Sequence, residues 1–282
     1  MHRSLVIFGY GYVGKAFKRL ALREGWDDIQ IVTRTPQAGA LSLTDESSVA
    51  HCLAEASHLL ITAPPQDGHD PILKLYGPLI HAWGQRPDAR WLGYLSTTGV
   101  YGDHQGAWVD ETTPTTSNEP RSQIRLQVEQ AWQALDAPWH LFRLSGIYGP
   151  GRSVLEDLLG GTARRIDKPG QVFSRIHVED IAKTLLASAH TPMPGEIYNL
   201  ADDVPCPSHE VVAHGAQLLQ LPCPPLIPYE QASLSPMAQS FYKSCRRVTN
   251  KKIKEKLGVK LDYPTYKEGL QQILAQLQRA AP

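Results

Sequence analysis

The residues most able to do chemistry in this chain lie near its beginning and at the end of a later apolar run. A glycine-rich hexapeptide, Gly9-Tyr10-Gly11-Tyr12-Val13-Gly14, has the spacing that lets backbone amides approach a phosphate. Arg34, twenty residues after Gly14, offers a guanidinium to a further phosphate. The hydroxyl-rich run 96–98 follows an apolar segment. Together these groups indicate a binding site for a phosphate-bearing ligand.

Each glycine of the hexapeptide has its own expected role. Gly9 permits a tight turn, Gly11 lets backbone approach a pyrophosphate, and Gly14 lets a helix pack closely on a sheet. The apolar run 5–8 predicts a buried strand before the glycines, and residues 15–24 predict a helix after them. The pyrophosphate of a dinucleotide would lie at the helix N-terminus, with residues 9–14 around it. The alternative is an ordinary strand-to-helix turn.

Arg34 directly follows a second predicted strand, residues 29–33. An Asp or Glu at this point would accept hydrogen bonds from ribose hydroxyls, whereas a guanidinium pairs with a 2′-phosphate. Thr33 and Arg34 are therefore predicted to contact the cofactor, with NADP(H) preferred and NAD(H) as the other option. Alternatively, Arg34 only caps a surface turn before Thr35-Pro36.

Short apolar strands alternate with helical segments along the first half of the chain. Asp45 and Asp70 are placed to begin helices that run to about residues 56 and 83, and strands are predicted at residues 58–63 and 91–96. This alternation predicts an α/β fold with a Rossmann-type doubly wound parallel sheet. Such sheets bind ligands at the carboxyl ends of their strands. The residues at two of these strand ends are therefore added to the predicted cofactor site, namely Ala63, Pro64, Pro65 and Ser96.

The overall composition argues against several classes of protein. The 28 basic and 28 acidic residues of this 282-residue chain cancel, so no global charge favours nucleic acid or an anionic membrane. No run approaches eighteen apolar residues, and the first residues lack a signal-peptide pattern. The four cysteines have no metal-ligand spacing. We expect a cytoplasmic protein with a small-molecule substrate, without a metal and without nucleic-acid or membrane partners.

Five motifs follow one another over nearly the whole chain. They are Leu95-Ser96-Thr97-Thr98-Gly99-Val100-Tyr101-Gly102, Asp110-Glu111-Thr112-Thr113-Pro114, Arg143-Leu144-Ser145-Gly146-Ile147-Tyr148-Gly149-Pro150-Gly151, Arg175-Ile176-His177-Val178-Glu179-Asp180-Ile181 and Ile197-Tyr198-Asn199-Leu200. In this order they resemble the extended short-chain dehydrogenase/reductases, the NAD-dependent epimerase/dehydratase group. The resemblance implies a Rossmann-type domain, a small C-terminal substrate lobe and hydride transfer at a nicotinamide. It also implies that Thr97 stands at the family's catalytic Ser/Thr position, where it would orient a carbonyl.

The chain departs from that family at the catalytic pair. Members of the family carry Tyr-x-x-x-Lys on a helix, with a Glu four residues after the Lys. Glu129 matches this Glu, which puts Arg125 at the Lys position and Arg121 at the Tyr position. The i, i+4 spacing puts both guanidinium groups on one helical face. Arg125 could hold ribose or phosphate oxygens, but Arg121 cannot shuttle protons, because a guanidinium stays protonated near neutral pH.

Three interpretations of this substitution are open. The enzyme could use another acid or base, and Tyr101, Tyr148 and His177 are the candidates, although each could instead pack a turn or anchor a strand. Alternatively, Arg121 and Arg125 could clamp a carboxylate or phosphate of the substrate. In the third interpretation hydride chemistry is lost, and the protein senses NADP(H) or serves as a scaffold. An isomerase with a permanently bound cofactor is a further alternative.

Polar and basic residues in the second half of the chain are candidates for substrate contacts. The stretch 160–170 is rich in glycine and basic residues, and a returning strand follows it. Two further cations lie near the C-terminus, although a solvated surface explains most of these charges equally well. The predicted substrate-binding residues are Thr98, Tyr148, Arg175, His177, Lys243 and Arg246.

The expected topology places the domain boundaries. Residues 1–150 and 174–201 are predicted to form the dinucleotide-binding domain, and residues 151–173 and 202–282 the small substrate lobe, with the ligand cleft between them. A homodimer is a further expectation from the family resemblance. The sequence thus predicts an NADP(H)-dependent oxidoreductase or epimerase-like enzyme for a small polar substrate, with an anionic substrate as one option, or a non-catalytic NADP(H) sensor or scaffold.

Overall fold

The computed structural model of the protein describes residues 3–280, so Met1, His2, Ala281 and Pro282 at the ends of the predicted domains lie outside it. The strands are β1 (Ser4–Phe8), β2 (Asp28–Thr33), β3 (Leu41–Ser42), β4 (His58–Ile61), β5 (Trp91–Thr97), β6 (Trp108–Val109), β7 (Trp139–Leu144), β8 (Gly146–Tyr148), β9 (Arg165–Asp167), β10 (Arg175–His177), β11 (Glu196–Leu200), β12 (Leu226–Pro228) and β13 (Arg247–Val248). The helices are α1 (Tyr12–Arg23), α2 (Glu46–Glu55), α3 (Pro71–Gly84), α4 (Pro120–Gln133), α5 (Val154–Leu159), α6 (Val178–His190), α7 (Ser208–Leu218), α8 (Pro236–Tyr242), α9 (Lys251–Leu257) and α10 (Tyr266–Ala280).

Seven parallel strands form the central sheet, in the order β11-β7-β5-β4-β1-β2-β3. Strand β1 lies between β2 and β4, with Leu5 opposite both Ile29 and His58. The chain therefore winds outward in two directions from β1, which makes a crevice at the carboxyl ends of β1 and β4. This topology confirms the predicted α/β fold with a Rossmann-type doubly wound sheet.

Apolar layers cover both faces of the central sheet. Successive side chains of β1 point to opposite faces, so Leu5 and Ile7 pack in the layer that contains α1 and α6. Val6 and Phe8 pack in the layer that contains α2 and α3. Because both faces are covered, β1 has a continuous apolar run rather than alternation of polar and apolar residues. The crevice consequently lies at the edge of a sheet that is packed on both faces.

Two aspartates begin helices where the sequence predicts them. Asp45 accepts a hydrogen bond from the backbone N of Ser48 at 3.1 Å and caps α2. Asp70 caps α3 by accepting from the backbone N of Ile72 at 2.8 Å. Its second carboxylate oxygen accepts from the indole N of Trp132 at 3.2 Å. One buried carboxylate therefore fixes both α3 and α4.

Three short parallel pairs lie outside the central sheet in the described chain, namely β8 with β10, β9 with β12 and β6 with β13. Residues from β8, α5, α7 and α10 share a separate apolar cluster that includes Tyr148, Leu155 and Leu270. Helix α6 packs against α1, and β11 pairs with β7, so residues 178–200 rejoin the central sheet layers. The domain boundaries themselves stay a prediction. Within residues 3–280, no helix has the length and apolar character needed to cross a membrane.

Candidate functional site

The glycine-rich hexapeptide forms the turn from β1 into α1, and two of its glycines are required by the packing of the turn itself. Gly9 has a φ of +97°, and a Cβ on it would lie 2.6 Å from Oγ1 of Thr62. A Cβ on Gly14 would lie 2.7 Å from the carbonyl O of Gly9. Thr62, which follows β4, donates to that carbonyl at 3.0 Å. The sequence analysis missed Thr62 as a support of the turn.

Gly11 differs from the other two glycines because a Cβ on it would meet no atom within 4 Å. It is the N-cap of α1, and neither a side-chain cap nor an acidic residue occupies the first turn of this helix. The N-terminal amides and the helix dipole therefore attract an anion beside open space. A pyrophosphate fits this arrangement, since it needs donors and the absence of a side chain.

The other residues of the hexapeptide stabilise the turn or the helix. The hydroxyl of Tyr12 donates to the carbonyl O of Pro150 at 3.0 Å, and burial raises the pKa of Tyr12 to about 12. The Arg152 guanidinium lies 5.9 Å from the centre of the Tyr12 ring. Val13 is buried, and the Tyr10 ring lies beside two lysine side chains of α1. The loop after β8 is thus held against the beginning of α1.

The ends of β2 and β4 border the turn. Thr33 is buried at the end of β2, and its carbonyl accepts from the backbone N of Leu43. Arg34 is exposed and makes no hydrogen bond or ion pair with any residue in the range 3–280. Its guanidinium is therefore available to a ligand. The segment Ala63-Pro64-Pro65 continues from β4 and is at least partly exposed at the same edge of the sheet.

Hydroxyl groups cluster where β5 ends. Oγ1 of Thr97 accepts from the backbone N of Gly99 at 3.1 Å, while Ser96 and Thr98 are buried. A Cβ on Gly99 would lie 2.9 Å from Oγ of Ser122 and 3.3 Å from Oγ1 of Thr97, so both hydroxyls lie beside Gly99. Ser122 belongs to α4, and the sequence analysis did not identify it. Its position directly after Arg121 was the available signal.

The two arginines of α4 have different surroundings. Nη1 of Arg125 donates to the hydroxyl of Tyr94 and to the carbonyl O of Leu95, both at 3.2 Å. Arg125 is therefore fixed beside the carboxyl end of β5. Arg121 is exposed and has no hydrogen bond or ion pair within the described part of the chain. Of these two arginines, Arg121 is therefore the one without a partner among residues 3–280, and its guanidinium is available to an anion.

A buried polar network holds α4 against the sheet. The Arg143 guanidinium makes a bidentate pair with Glu129, with distances of 3.2 Å from Nε and 2.8 Å from Nη2. Nη1 of Arg143 donates to the hydroxyl of Tyr101 at 3.0 Å, and this hydroxyl donates to Oδ1 of Asn199 at 2.8 Å. Glu111 accepts from the backbone N of Asn199 at 2.7 Å. The network therefore links α4, β7 and β11.

The same network bears on the predicted catalytic role of Tyr101. Its side chain is fully buried, its hydroxyl is engaged both as donor and as acceptor, and burial raises its pKa. A phenol in this state neither reaches a substrate nor releases its proton near neutral pH. We therefore interpret Tyr101 as a support of α4 rather than as an acid.

Tyr148 and His177, the other two candidate acids, are also buried. The hydroxyl of Tyr148 donates to the carbonyl O of Thr265 at 3.3 Å, and burial raises its pKa. Nδ1 of His177 accepts from the backbone N of Glu179 at 3.3 Å and caps α6. Burial lowers the pKa of His177 to about 4, so this side chain is neutral at pH 7. These contacts favour the anchoring roles over proton transfer.

The predicted substrate-binding residues have dissimilar surroundings. Lys243 makes an ion pair with Glu119 at 3.6 Å, at the N-cap of α4. Nη1 of Arg246 donates to the carbonyl O of Gly102 at 2.8 Å. The hydroxyl of Thr98 donates to the carbonyl O of Leu144 at 3.4 Å. Arg175 and Tyr148 instead line a cavity among β8, α5, α7 and α10. The sequence analysis did not predict a cavity between these elements.

Comparison with known proteins found relatives along the full length of the chain, although no family model matches it. A functionally unknown conserved protein from Silicibacter pomeroyi is 45% identical, with a TM-score of 0.87 over 97% of this chain and 99% of that one. Protein YeeZ of Escherichia coli K12 is 25% identical over 219 residues, which are 70% of this chain and 77% of YeeZ.

Two more distant structures have the same fold. A Methylobacillus flagellatus protein described as an NAD-dependent epimerase/dehydratase is 21% identical, with a TM-score of 0.77 over 99% of this chain and 100% of that one. The human epimerase family protein SDR39U1, solved with NADPH, is 16% identical, with a TM-score of 0.75 over 96% and 99%. The chain therefore belongs to one family with the Silicibacter pomeroyi protein, and its fold is that of the extended short-chain dehydrogenase/reductases.

Proposed function

We propose that the protein binds a nicotinamide dinucleotide, with preference for NADP(H), in the crevice at the carboxyl ends of β1 and β4. The open space beside Gly11 at the uncapped start of α1 carries this proposal, because the fold itself gives no reason for a missing side chain there. The exposed guanidinium of Arg34 at the end of β2 supports the phosphorylated form. The shared fold of human SDR39U1, solved with NADPH, and of the Methylobacillus flagellatus protein described as an NAD-dependent epimerase/dehydratase supports a cofactor of this class.

We further propose an oxidoreductase or epimerase-like activity on a small polar substrate. A bound nicotinamide would supply or accept the hydride. The hydroxyls of Thr97 and Ser122 both lie beside Gly99 at the end of β5, where they could donate hydrogen bonds to a substrate carbonyl. In this proposal Arg125 would donate to a ribose hydroxyl or phosphate oxygen of the cofactor, and Arg121 would hold an anionic group of the substrate.

Replacing Gly11 by Val tests whether the open space receives the cofactor. We expect the variant to fold, because no protein atom lies within 4 Å of a Cβ at position 11. We expect NADPH to stabilise it no longer, because the valine side chain would occupy the space proposed for the pyrophosphate. That stabilisation is about 2.7 kcal/mol for a ligand at one hundred times its Kd. Thermal unfolding with and without NADPH measures both effects. Gly14→Val is the matched control, since its Cβ would clash with Gly9 and unfold the turn without any ligand. Full NADPH stabilisation of Gly11→Val would contradict the proposed site.

Replacing Arg34 by Asp tests the cofactor preference. The variant loses a guanidinium that could pair with the 2′-phosphate and gains a carboxylate that accepts from ribose hydroxyls. We expect NADPH affinity to fall by about 10- to 100-fold, the range for a charged hydrogen bond, and NADH affinity to rise. Fluorescence titration of both cofactors measures the switch. Arg23→Asp, at the end of α1, is the control and should leave both affinities unchanged. Equal losses for both cofactors in Arg34→Asp would count against a 2′-phosphate contact.

A non-catalytic NADP(H) sensor or scaffold is the second candidate function. The exposed Arg121 at the position of the family's Tyr favours it, as do the buried side chains of Tyr101 and Tyr148, whose hydroxyls are hydrogen-bonded within the protein. Oxidation of NADPH by a panel of small carbonyl compounds separates the two candidates. Turnover supports the enzyme, whereas cofactor binding without turnover supports the sensor. Activity that appears only in the double variant Arg121→Tyr/Arg125→Lys would indicate a decayed enzyme.

A further inference from the structure

A cavity of about 460 Å³ lies among α5, α7, α10 and the β8–β10 pair. This volume is in the range of small-molecule binding sites. Within the described chain, neither the hexapeptide 9–14 nor Arg34, Thr97 or the two arginines of α4 line it. The lining side chains that matter here are Tyr148, Arg152, Arg175, Ser208, Val211 and Tyr266. None of these residues proposed to bind the nicotinamide dinucleotide therefore lines the cavity, although one lining residue, Arg152, lies over the ring of Tyr12.

Arg175 is the fixed cation of this cavity. Its Nη1 donates to the carbonyl O of Phe173 at 2.9 Å and to the carbonyl O of Cys206 at 3.1 Å. These backbone acceptors orient the guanidinium without neutralising it. Among residues 3–280, Arg175 has no ion pair, and its hydrogen bonds all involve Nη1. A half-buried guanidinium with unused donors and no counter-ion favours an anion.

Two acidic residues, Glu156 and Asp157, line the cavity and Asp202 lies nearby, but none of them forms an ion pair with Arg175 within residues 3–280. Asp202 lies close enough for Arg175 to lower its pKa but forms no ion pair with it within the described chain, and burial raises the pKa of Asp202 to about 7. Both carboxylate oxygens of Glu156 are engaged, with the backbone N of Gly151 and with Oγ of Ser153. Asp157 is exposed to solvent. The lining thus carries Arg152, Glu156 and Asp157 as well, but Arg175 is the half-buried cation whose Nε and Nη2 have no partner within the described chain.

We propose that this cavity binds a small organic anion, a carboxylate or a phosphate monoester with a compact apolar body, through the guanidinium of Arg175. The unused donors of Arg175 match the two oxygens of such a group. Tyr148, Val211 and Tyr266 offer apolar surface to its body. Arg152 lies at the cavity and also over the ring of Tyr12, so the anion site adjoins the beginning of α1.

Isothermal titration calorimetry of the full chain tests the site with four probes. Benzoate and phenyl phosphate represent the two anion classes, benzamide is the neutral analogue, and inorganic phosphate lacks the apolar body. We expect at least one of the two aromatic anions to bind. The dissociation constants of benzamide and inorganic phosphate should be at least about tenfold higher than that of this anion. Whichever of benzoate and phenyl phosphate binds with the higher affinity shows whether the cavity prefers a carboxylate or a phosphate monoester. Binding that is equal for benzoate and benzamide, or absent for both anions, would overturn the proposal.

Two variants locate the binding. Arg175→Gln should weaken binding of the aromatic anion by at least about tenfold. Arg164→Gln is the control and should leave this affinity unchanged, since Arg164 donates to the carbonyl O of Ser233 outside the cavity. Because Arg175 also holds two carbonyls, Val211→Phe provides a second variant that fills the cavity and keeps the charge. Unchanged binding in folded Val211→Phe would overturn the site. NADPH binding is measured on the same samples, so a failure of the cofactor proposal is seen separately.

Discussion

Glu129→Gln is expected to lower the free energy of unfolding by about 3–5 kcal/mol, the usual cost of removing one partner from a buried ion pair. The side chains of Glu129 and Arg143 are only 1% and 5% exposed. Without the carboxylate, the Arg143 guanidinium would remain in the core with no counter-ion. Urea denaturation at neutral pH measures the loss.

The size of that loss distinguishes the buried pair from surface ion pairs. Asp88→Asn, which breaks the exposed pair of Arg86 and Asp88, is the matched control and should leave the urea midpoint nearly unchanged. The double variant Glu129→Leu/Arg143→Met should recover much of the stability lost in Glu129→Gln, because no unpaired charge is left in the core. If the urea midpoint of Glu129→Gln were close to that of Asp88→Asn, the result would contradict the proposal that the buried Glu129–Arg143 pair stabilises the fold.

Asp202→Asn is expected to stabilise the protein at pH 8, by up to about 4 kcal/mol if the full pKa shift is realised. Asp202 is 2% exposed, and its Oδ2 has no hydrogen-bond partner within residues 3–280. Burial raises the pKa of this carboxyl from 3.8 to about 7, so the folded protein holds the proton more tightly than the unfolded chain. The charged carboxylate therefore reduces stability as the pH rises from about 4 to 7.

Urea unfolding of the wild type and Asp202→Asn at pH 4, 6 and 8 measures this difference. It should be smallest at pH 4, where the carboxyl is protonated in the folded protein, and grow toward pH 8. Asp45→Asn provides a control of opposite sign, because hydrogen bonds from Ser48 lower the pKa of Asp45. That variant should lose stability at neutral pH and match the wild type in acid. A pH-independent difference for Asp202→Asn would show that the carboxyl is not buried as described.

The parts of the fold that depend on local chemistry could be predicted from the sequence. The strand before the glycines, the helix caps at Asp45 and Asp70 and the glycine turn follow from spacing and backbone conformation. The parallel sheet with helices on both faces follows from the alternation of strands and helices. Arg34 is exposed at the end of β2, where the motif predicts it.

The side-chain environments could not be predicted in the same way, because they depend on contacts between distant segments. The turn motif around Tyr101 leaves open whether its hydroxyl transfers a proton or its ring packs, and the contact that decides comes from Arg143, 42 residues later, which donates to the hydroxyl. Ser122 becomes relevant only because α4 packs on the turn at Gly99. Arg175 lines a cavity whose other walls come from α5, α7 and α10. The spacing of residues along the chain does not show which distant segments come into contact in the folded protein.

The place of β11 at the edge of the sheet has a consequence for synthesis on the ribosome. Strand β7 pairs with β5 on one side and with β11 on the other, and β11 ends 56 residues after β7 ends, at Leu200. Until those residues emerge, the N–H and C=O groups along one side of β7 have no strand to pair with, and the apolar residues around Phe142 are only partly covered. An open edge of this kind recruits other chains. The nascent protein therefore passes through an aggregation-prone interval that closes only when residue 200 becomes available.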